Sequence, residues 1–251
     1  MGTLSYPSFP TSNGYLTETI RKQYISKAID SKLLPENAYR LAHLISLDAA
    51  NDESKPIQFW QLYSVLGQDR IVDIVHAFYK RVFDDEKWFS SVFAAVGGIG
   101  HHVNTQASMW IDVMGGGLYY HGGEYRLNFH HTHNAMALMN DKGAERWVEL
   151  MVKTLNDSSL DFTADIRVRP AINTFLSHFL SKYAADFQFR DDRSFGEVNQ
   201  AVKRSFNFLN MTSDAIEALS QEELGDALVA RGVDISPLDS KELLVNKALS
   251  L

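Results

Sequence analysis

Cysteine is absent from this chain of 251 residues. Disulfide scaffolds, thiolate zinc sites, iron–sulfur clusters and cysteine nucleophiles are therefore excluded together. A basic surplus is missing as well: 24 Lys+Arg stand against 31 Asp+Glu, a net charge of −7. Such a chain has nothing to spare for displacing counterions from phosphates, which argues against a generic nucleic-acid binder. No apolar run approaches the roughly 18 residues of a membrane helix. The opening MGTLSYPSFPTSNGY lacks the charged start and apolar stretch of a secretory signal. Gly2 fits myristoylation, but Tyr6 stands where that motif wants Ser or Thr. An intracellular, cytoplasmic protein with no membrane contact is the expectation.

What the chain does have is histidine. Of nine in total, His101, His102, His121, His130, His131 and His133 fall within 33 positions. With thiolates excluded, transition-metal chemistry here has to run through imidazole and carboxylate.

Apolar periodicity predicts helices and no strand. Ile20, Tyr24 and Ala28 make one stripe, and Ala38, Leu41 and Ile45 another. The polar NDESKP at 51–56 reads as a linker. Leu62, Leu66 and the Ile71–Val82 pattern predict a helix ending near Asp84 and Asp85. A short aromatic segment at Trp88–Phe93 precedes the flexible Gly97-Gly98-Ile99-Gly100. A second helix, His101 to Met114, should close at Gly115-Gly116-Gly117, a run suited to a left-handed exit. The histidine cluster sits in a third helical region. Asn140 or Asp141 is a candidate cap for a fourth helix through Trp147 to Leu155. Thr163 or Asp165 could start a fifth, through Phe175 and Phe179 to Phe187, with Pro170 kinking it or shifting its start. The predicted organisation is a helical extension (1–58), an all-α domain (59–188) and a helical C-terminal extension (189–251).

His102, Gln106 and Trp110 are spaced i, i+4, i+8 and share one helical face. Three hydrogen-bonding groups there suit a wet, ligand-facing surface better than a core stripe; an exposed polar face with one Trp is the bland reading. In the run Phe129-His130-His131-Thr132-His133-Asn134-Ala135-Met136-Ala137-Leu138, His130 and His133 can share a face while His131 points elsewhere. A zinc hydrolase would want H-E-x-x-H or an intervening carboxylate, and Glu124 is the one nearby acid upstream. Met136 and Leu138 beside His133 suit haem better, since a porphyrin needs a large apolar slot with an axial imidazole. His43, His101 and His121 read as ordinary surface groups.

The run QLYSVLG (61–67), followed by Ile71-Val72 through Phe78-Tyr79-Lys80-Arg81-Val82, resembles the opening of the truncated haemoglobins. The aromatic segment Trp88–Phe93, then Met114-Gly115-Gly116 with Leu118-Tyr119-Tyr120, and Ala144-Glu145-Arg146-Trp147 follow in the family's order, closest to its group II. The resemblance covers residues 59–188 and implies a truncated, 2-over-2 globin fold flanked by helical extensions, with haem b as cofactor. It places His102, Gln106 and Trp110 over the ligand, Tyr79 as the distal hydroxyl, Phe93 as the aromatic wedging the porphyrin, and Trp147 as an indole reaching the ligand. The iron-ligating histidine falls on His133, with Met136 and Leu138 filling apolar slots beside it.

Departures matter. The proximal signature, roughly Leu-Arg-x-Arg-His-x-x-Phe-x-Ile, has lost both arginines here, and the spacing from His133 to Trp147 is one residue longer than the family's. His130 and His131 are therefore rival axial ligands, and Arg126, Tyr125 and His130 are candidate propionate partners. His102 replaces a commonly small residue and could donate to the ligand or bind iron as a sixth ligand. The resemblance implies binding of O2, NO or CO, with NO dioxygenation, peroxidase chemistry, oxygen transport or gas sensing as candidate outcomes and a reductase as candidate partner. A non-haem His-ligated metal protein and a haem-less, globin-shaped interaction module are the competing classes.

At the C-terminus, Ser220 with Glu223 makes a capping box. Leu224 to Val233 followed by Lys241-Glu242-Leu243-Leu244-Val245 resembles the SAP-like helix–loop–helix module, spanning about 214–251. Many such modules bind DNA. Here, however, residues 214–251 hold eight acids against Arg231, Lys241 and Lys247, a net of −5, which opposes phosphate binding. A protein-interaction role, or simple packing back onto the globin, is expected instead. The N-terminal helices could cover the pocket or build a homodimer contact.

Overall fold

A computed structural model describes residues 9–157, 164–199, 206 and 208–251. Gly2, Tyr6 and the candidate helix start Thr163 lie outside the described residues. The regular structure is helical, as the periodicity predicts, and among the described residues the only β feature is a single bridge between Ser12 and Gly116. The chain divides into two compact units. The described parts of 1–28 and 37–200 form the first, and those of 29–36 and 201–251 the second.

The principal helices of the first unit are α1 (Thr17–Asp30, whose last two residues fall to the second unit), α2 (Leu62–Phe83), α3 (Lys87–Val96), α4 (Ile99–Val113), α5 (Gly123–Phe129), α6 (Asp141–Leu155) and α7 (Val168–Phe187). Helix α2 is the central element and packs against α3, α4, α6 and α7. It breaks at Gly67, whose φ of +70° is open to glycine, and where the Phe9 ring lies against the position a Cβ would take. The left-handed exit expected after α4 is present at Gly115 and Gly117, with φ of +93° and +107°. Asn140 caps α6, its side chain accepting from the Gly143 N–H at 3.0 Å. Pro170 falls in the first turn of α7, where its missing N–H breaks no helical bond, so it shifts the start and causes no kink. The stripe expected at Ala38, Leu41 and Ile45 is reduced to a 3₁₀ turn at Ala38–Arg40 and one helical turn at Ala42–Ile45.

The segment 51–56 is exposed, yet it is tied down. Arg167 donates through Nη1 to the carbonyls of Ala50, Asp52 and Lys55 at 2.8–3.0 Å while its Nε and Nη2 grip the buried Asp165 carboxylate. This guanidinium hooks the chain onto the start of α7.

Helix α1 is held by a carboxylate distant in sequence. Asp112 of α4 is fully buried and accepts from the N–H groups of Tyr15, Leu16 and Thr17 at 2.9–3.2 Å. These are the unpaired donors of a helix start, so the Asp112 carboxylate caps that start from another helix of the same chain. Replacing Asp112 with alanine leaves them buried and unpartnered, and we expect a loss of about 3 kcal/mol in denaturant unfolding. A loss under about 0.5 kcal/mol, the usual range for surface changes, would contradict this role.

Helix α1 also presses Tyr24 against Phe59, Trp60 and His178, with ring centroids 5.1–5.7 Å apart. His178 stacks on Phe59, and its buried Nε2 has no hydrogen-bond partner among the described residues. Burial pushes its pKa from 6.5 down to about 4. Between those values the unfolded chain binds a proton that the folded one refuses, so stability is complete above about pH 6.5 and falls as pH drops toward 4. The loss amounts to about 3 kcal/mol. His178→Phe should flatten that part of the stability–pH curve relative to wild type, and parallel curves would refute the assignment.

The second unit has its own small core of Phe208, Ile216, Leu219, Leu224, Ala227, Leu228, Leu244, Val245 and Ala248. Its two longest helices are α8 (Gln221–Val229) and α9 (Lys241–Leu249), preceded by a short helix at Ser213–Glu217. The capping box is formed in both directions: the Glu223 N–H donates to Ser220 Oγ at 3.1 Å, and the Ser220 N–H to Glu223 Oε2 at 2.8 Å. Gly232, at φ +75°, turns the chain after α8, and Ser240 caps α9.

Candidate functional site

The first unit contains a cleft enclosing about 1190 Å³ of empty space, part of it open to solvent. Six of the stretches that wall it converge from different parts of the unit. Helix α2 gives Tyr79, α3 gives Phe89 and Phe93, and α4 gives His101, His102, Gln106 and Trp110. The segment 130–139 gives His130, His131 and Leu138, while α6 and α7 contribute Trp147, Phe175, Phe179 and Tyr183. The i, i+4, i+8 face predicted on α4 is therefore turned to this cleft.

On α2, the Tyr79 hydroxyl donates to Gln106 Oε1 at 2.5 Å. Burial pushes the Tyr79 pKa upward, so the hydroxyl stays protonated and acts as a donor. With its oxygen engaged, Gln106 keeps its amide N–H groups for a ligand. His102 is 3 % exposed and stacks on the Tyr79 ring with centroids 5.1 Å apart. Its Nε2–H donates to the Phe93 carbonyl at 2.9 Å. Burial lowers its pKa, with that carbonyl opposing the shift, so the ring is neutral and ties α4 to α3. Trp110 is buried edge-on to Phe175. Trp147 packs on Phe78 and Phe195, next to Arg146, which makes a bidentate ion pair with Asp85 at the end of α2. That pair fixes the height of α6 against α2.

The histidine segment differs most from its sequence reading. It runs from α5 into a π turn at His130–Asn134 and a 3₁₀ turn at Met136–Leu138. The π turn carries His133 outward: the ring is exposed and stacked on Phe129 at 4.1 Å, with Nδ1 near the Thr132 hydroxyl and the Phe129 carbonyl. His133 is not among the lining residues, nor are Met136, Tyr125 and Arg126. Tyr125 is 80 % exposed and Met136 53 %. Arg126 lies over the Tyr120 ring at 4.9 Å. His130 and His131 face the cleft instead. Burial lowers the pKa of both, His131 to about 4. The His131 Nδ1–H donates to the Leu127 carbonyl at 2.8 Å, and the ring stacks on Tyr183 at 4.0 Å.

Some lining residues are not assigned to a site by the sequence reading. Phe175, Phe179 and Tyr183 form an i, i+4, i+8 stripe on α7 that spacing alone could have supplied. His101, read as a surface group, is exposed yet lines the cleft. Phe189 carries no sequence signal at all, because it comes from irregular chain after α7.

Residues 61–180 match the family model described as bacterial-like globin. These residues are a bacterial-like globin domain. No curated protein and no solved structure matches the chain with significance. The globin domain thus occupies the helices that build the cleft, and globins of this family bind haem at such a site. The residues present fit that group: neutral imidazoles, a mostly aromatic and aliphatic wall, and a Tyr79–Gln106 pair as polar donors.

Proposed function

We propose that the globin domain binds haem b and, at its iron, a diatomic ligand: O2, NO or CO. The observation that carries this reading is the placing of neutral, cleft-facing His131 and the donor pair Tyr79–Gln106 on the walls of one cleft. His131 is the residue that would hold the iron in this proposal, with His130 and His133 as the alternatives. Its Nδ1–H is held by a backbone carbonyl, which fixes the tautomer and leaves the Nε2 lone pair free, the usual arrangement of a metal-bound histidine. Phe93 and Leu138 supply apolar wall; of the three candidate propionate partners, His130 lines the cleft while Arg126 and Tyr125 lie outside its lining and would serve at its rim. Trp110 backs the pocket through Phe175.

The iron supplies reversible binding and redox chemistry to a diatomic ligand; the chain supplies the rest. Gln106 donates to a ligand carrying partial negative charge, Tyr79 orients Gln106, and Trp147 offers a further N–H. His102 fixes the α3–α4 corner and keeps the Tyr79 ring in place. So many donors favour tight retention or turnover over delivery, and NO dioxygenation or peroxidase activity would require a reductase or a peroxide supply. A group II affiliation agrees with Trp147. The non-haem alternative lacks comparable support: among the described residues no three His, Asp or Glu side chains converge to hold a metal ion.

No helix among the described residues is long and apolar enough to cross a membrane, and we propose a cytoplasmic setting. The second unit, acidic and independently cored, is proposed as a SAP-like protein-interaction module. Adding hemin to the expressed chain and recording the visible spectrum tests the main reading. A Soret band from a liganded haem, shifting under CO after reduction, is expected. The spectrum of free hemin at every ratio would refute it.

A further inference from the structure

The cleft has a wall that the globin match does not reach. Helix α7 is capped by Gln188, whose φ of +60° and ψ of +37° put a non-glycine residue in the left-handed region. The chain reverses there, and the next residue, Phe189, lines the cleft. Residues 190–199 then run without regular structure across the starts of α6 and α7.

This strap is fastened along its whole length. The Arg190 N–H and Nε donate to the two carboxylate oxygens of Asp141, in the first turn of α6, at 2.8 and 3.1 Å. Ser181 of α7 donates to Asp191. Phe195 is buried and meets the Trp147 indole edge-on at 5.9 Å. Asn173 donates to the Glu197 carbonyl at 2.7 Å, and the Asn199 N–H to the Thr174 hydroxyl at 2.9 Å. An irregular segment with this many fixed points is built to hold a position. The position it holds is Phe189 against the cleft and Phe195 against a residue of its wall.

We propose that residues 188–199 are a retaining strap, with Phe189 the residue that slows escape of the cofactor and the Arg190–Asp141 pair the clasp that keeps it seated. This rests on the haem reading above. The clasp is exposed, so breaking it leaves the core intact, whereas the ring of Phe189 is in the wall itself. The two are coupled, because they are neighbours in the chain and act on the same opening.

The test is release of hemin from the full chain to an excess of an apo-globin acceptor. Phe189→Ala and Arg190→Gln, which keeps the backbone N–H bond to Asp141 and removes the side-chain ion pair, should each speed release about tenfold, and the double variant little more than Phe189→Ala. Far-ultraviolet circular dichroism should match wild type throughout, and Arg190→Gln covers the case where Phe189→Ala fails to fold. Release within about twofold of wild type in the folded variants would overturn the proposal. Should wild type take up no hemin, the haem reading falls. The strap is then judged on its own by the release rate of 1-anilinonaphthalene-8-sulfonate from the cleft, where about tenfold faster release in Arg190→Gln supports it and an unchanged rate overturns it.

Discussion

His131→Gly is expected to weaken hemin binding by more than the roughly 10–100-fold that loss of an outer-shell partner costs a metal site. Excess free imidazole should restore the wild-type Soret band. The expectation follows from three contacts. Leu127 accepts the Nδ1–H, so the neutral ring presents its Nε2 lone pair. Tyr183, stacked at 4.0 Å, stops the ring from turning away. Burial holds the pKa at about 4, so no proton competes for that lone pair near neutral pH. His133→Gly, by contrast, removes an exposed ring stacked on Phe129 and should leave the spectrum as it is. The reverse outcome, with the band lost in His133→Gly and kept in His131→Gly, would return the axial role to the residue indicated by family spacing. It would also require the π turn at His130–Asn134 to rewind on binding, since that turn sets which imidazoles face the cleft. Loss in His130→Gly alone would move the role to the third imidazole.

The helices were legible because their signals are local. Spacing on α4 placed His102, Gln106 and Trp110 on one face, and that face does meet the cleft. The Asn140 cap and the Ser220–Glu223 box could be read from a few adjacent residues, and both formed. What failed to show was whatever depends on helical phase or distant chain. An α-helical count through 129–138 assumes 3.6 residues per turn, and one π turn shifts every later side chain by about a residue. That is why His131, read as lying off the His130–His133 face and kept as a rival ligand, lines the cleft while His133 does not. The shared face on α4 also left open what each member does there. His102 looks like a ligand donor by position, but its Nε2–H is committed to Phe93, a carbonyl from the preceding helix. Asp112 likewise carries no sequence signal for its task, because the N–H groups it accepts from are almost a hundred residues away. NDESKP read as a linker for its polarity, and nothing in it shows that Arg167 would clasp its carbonyls.

The pair Tyr79 and Gln106 makes the sharpest demand on ligand kinetics. An amide alone can present either its oxygen or its N–H groups to the cleft. The Tyr79 hydroxyl settles this by donating to Oε1 at 2.5 Å, and among the described residues Nε2 has no protein acceptor. Gln106→Leu removes those donors at nearly constant volume. In hemin-loaded, reduced protein, O2 dissociation should accelerate by about 10–100-fold, the equivalent of one hydrogen bond to a charged group. CO, which gathers less negative charge, should change by less than about threefold. Tyr79→Phe acts differently, since it frees the amide to turn over while leaving its donors present. O2 loss should then accelerate by about tenfold, and the double variant should match Gln106→Leu alone, because Tyr79 works through that amide. Equal changes for O2 and CO would show that the two residues merely fill space. An additive double variant would show that the hydroxyl touches the ligand directly and is no orienting group.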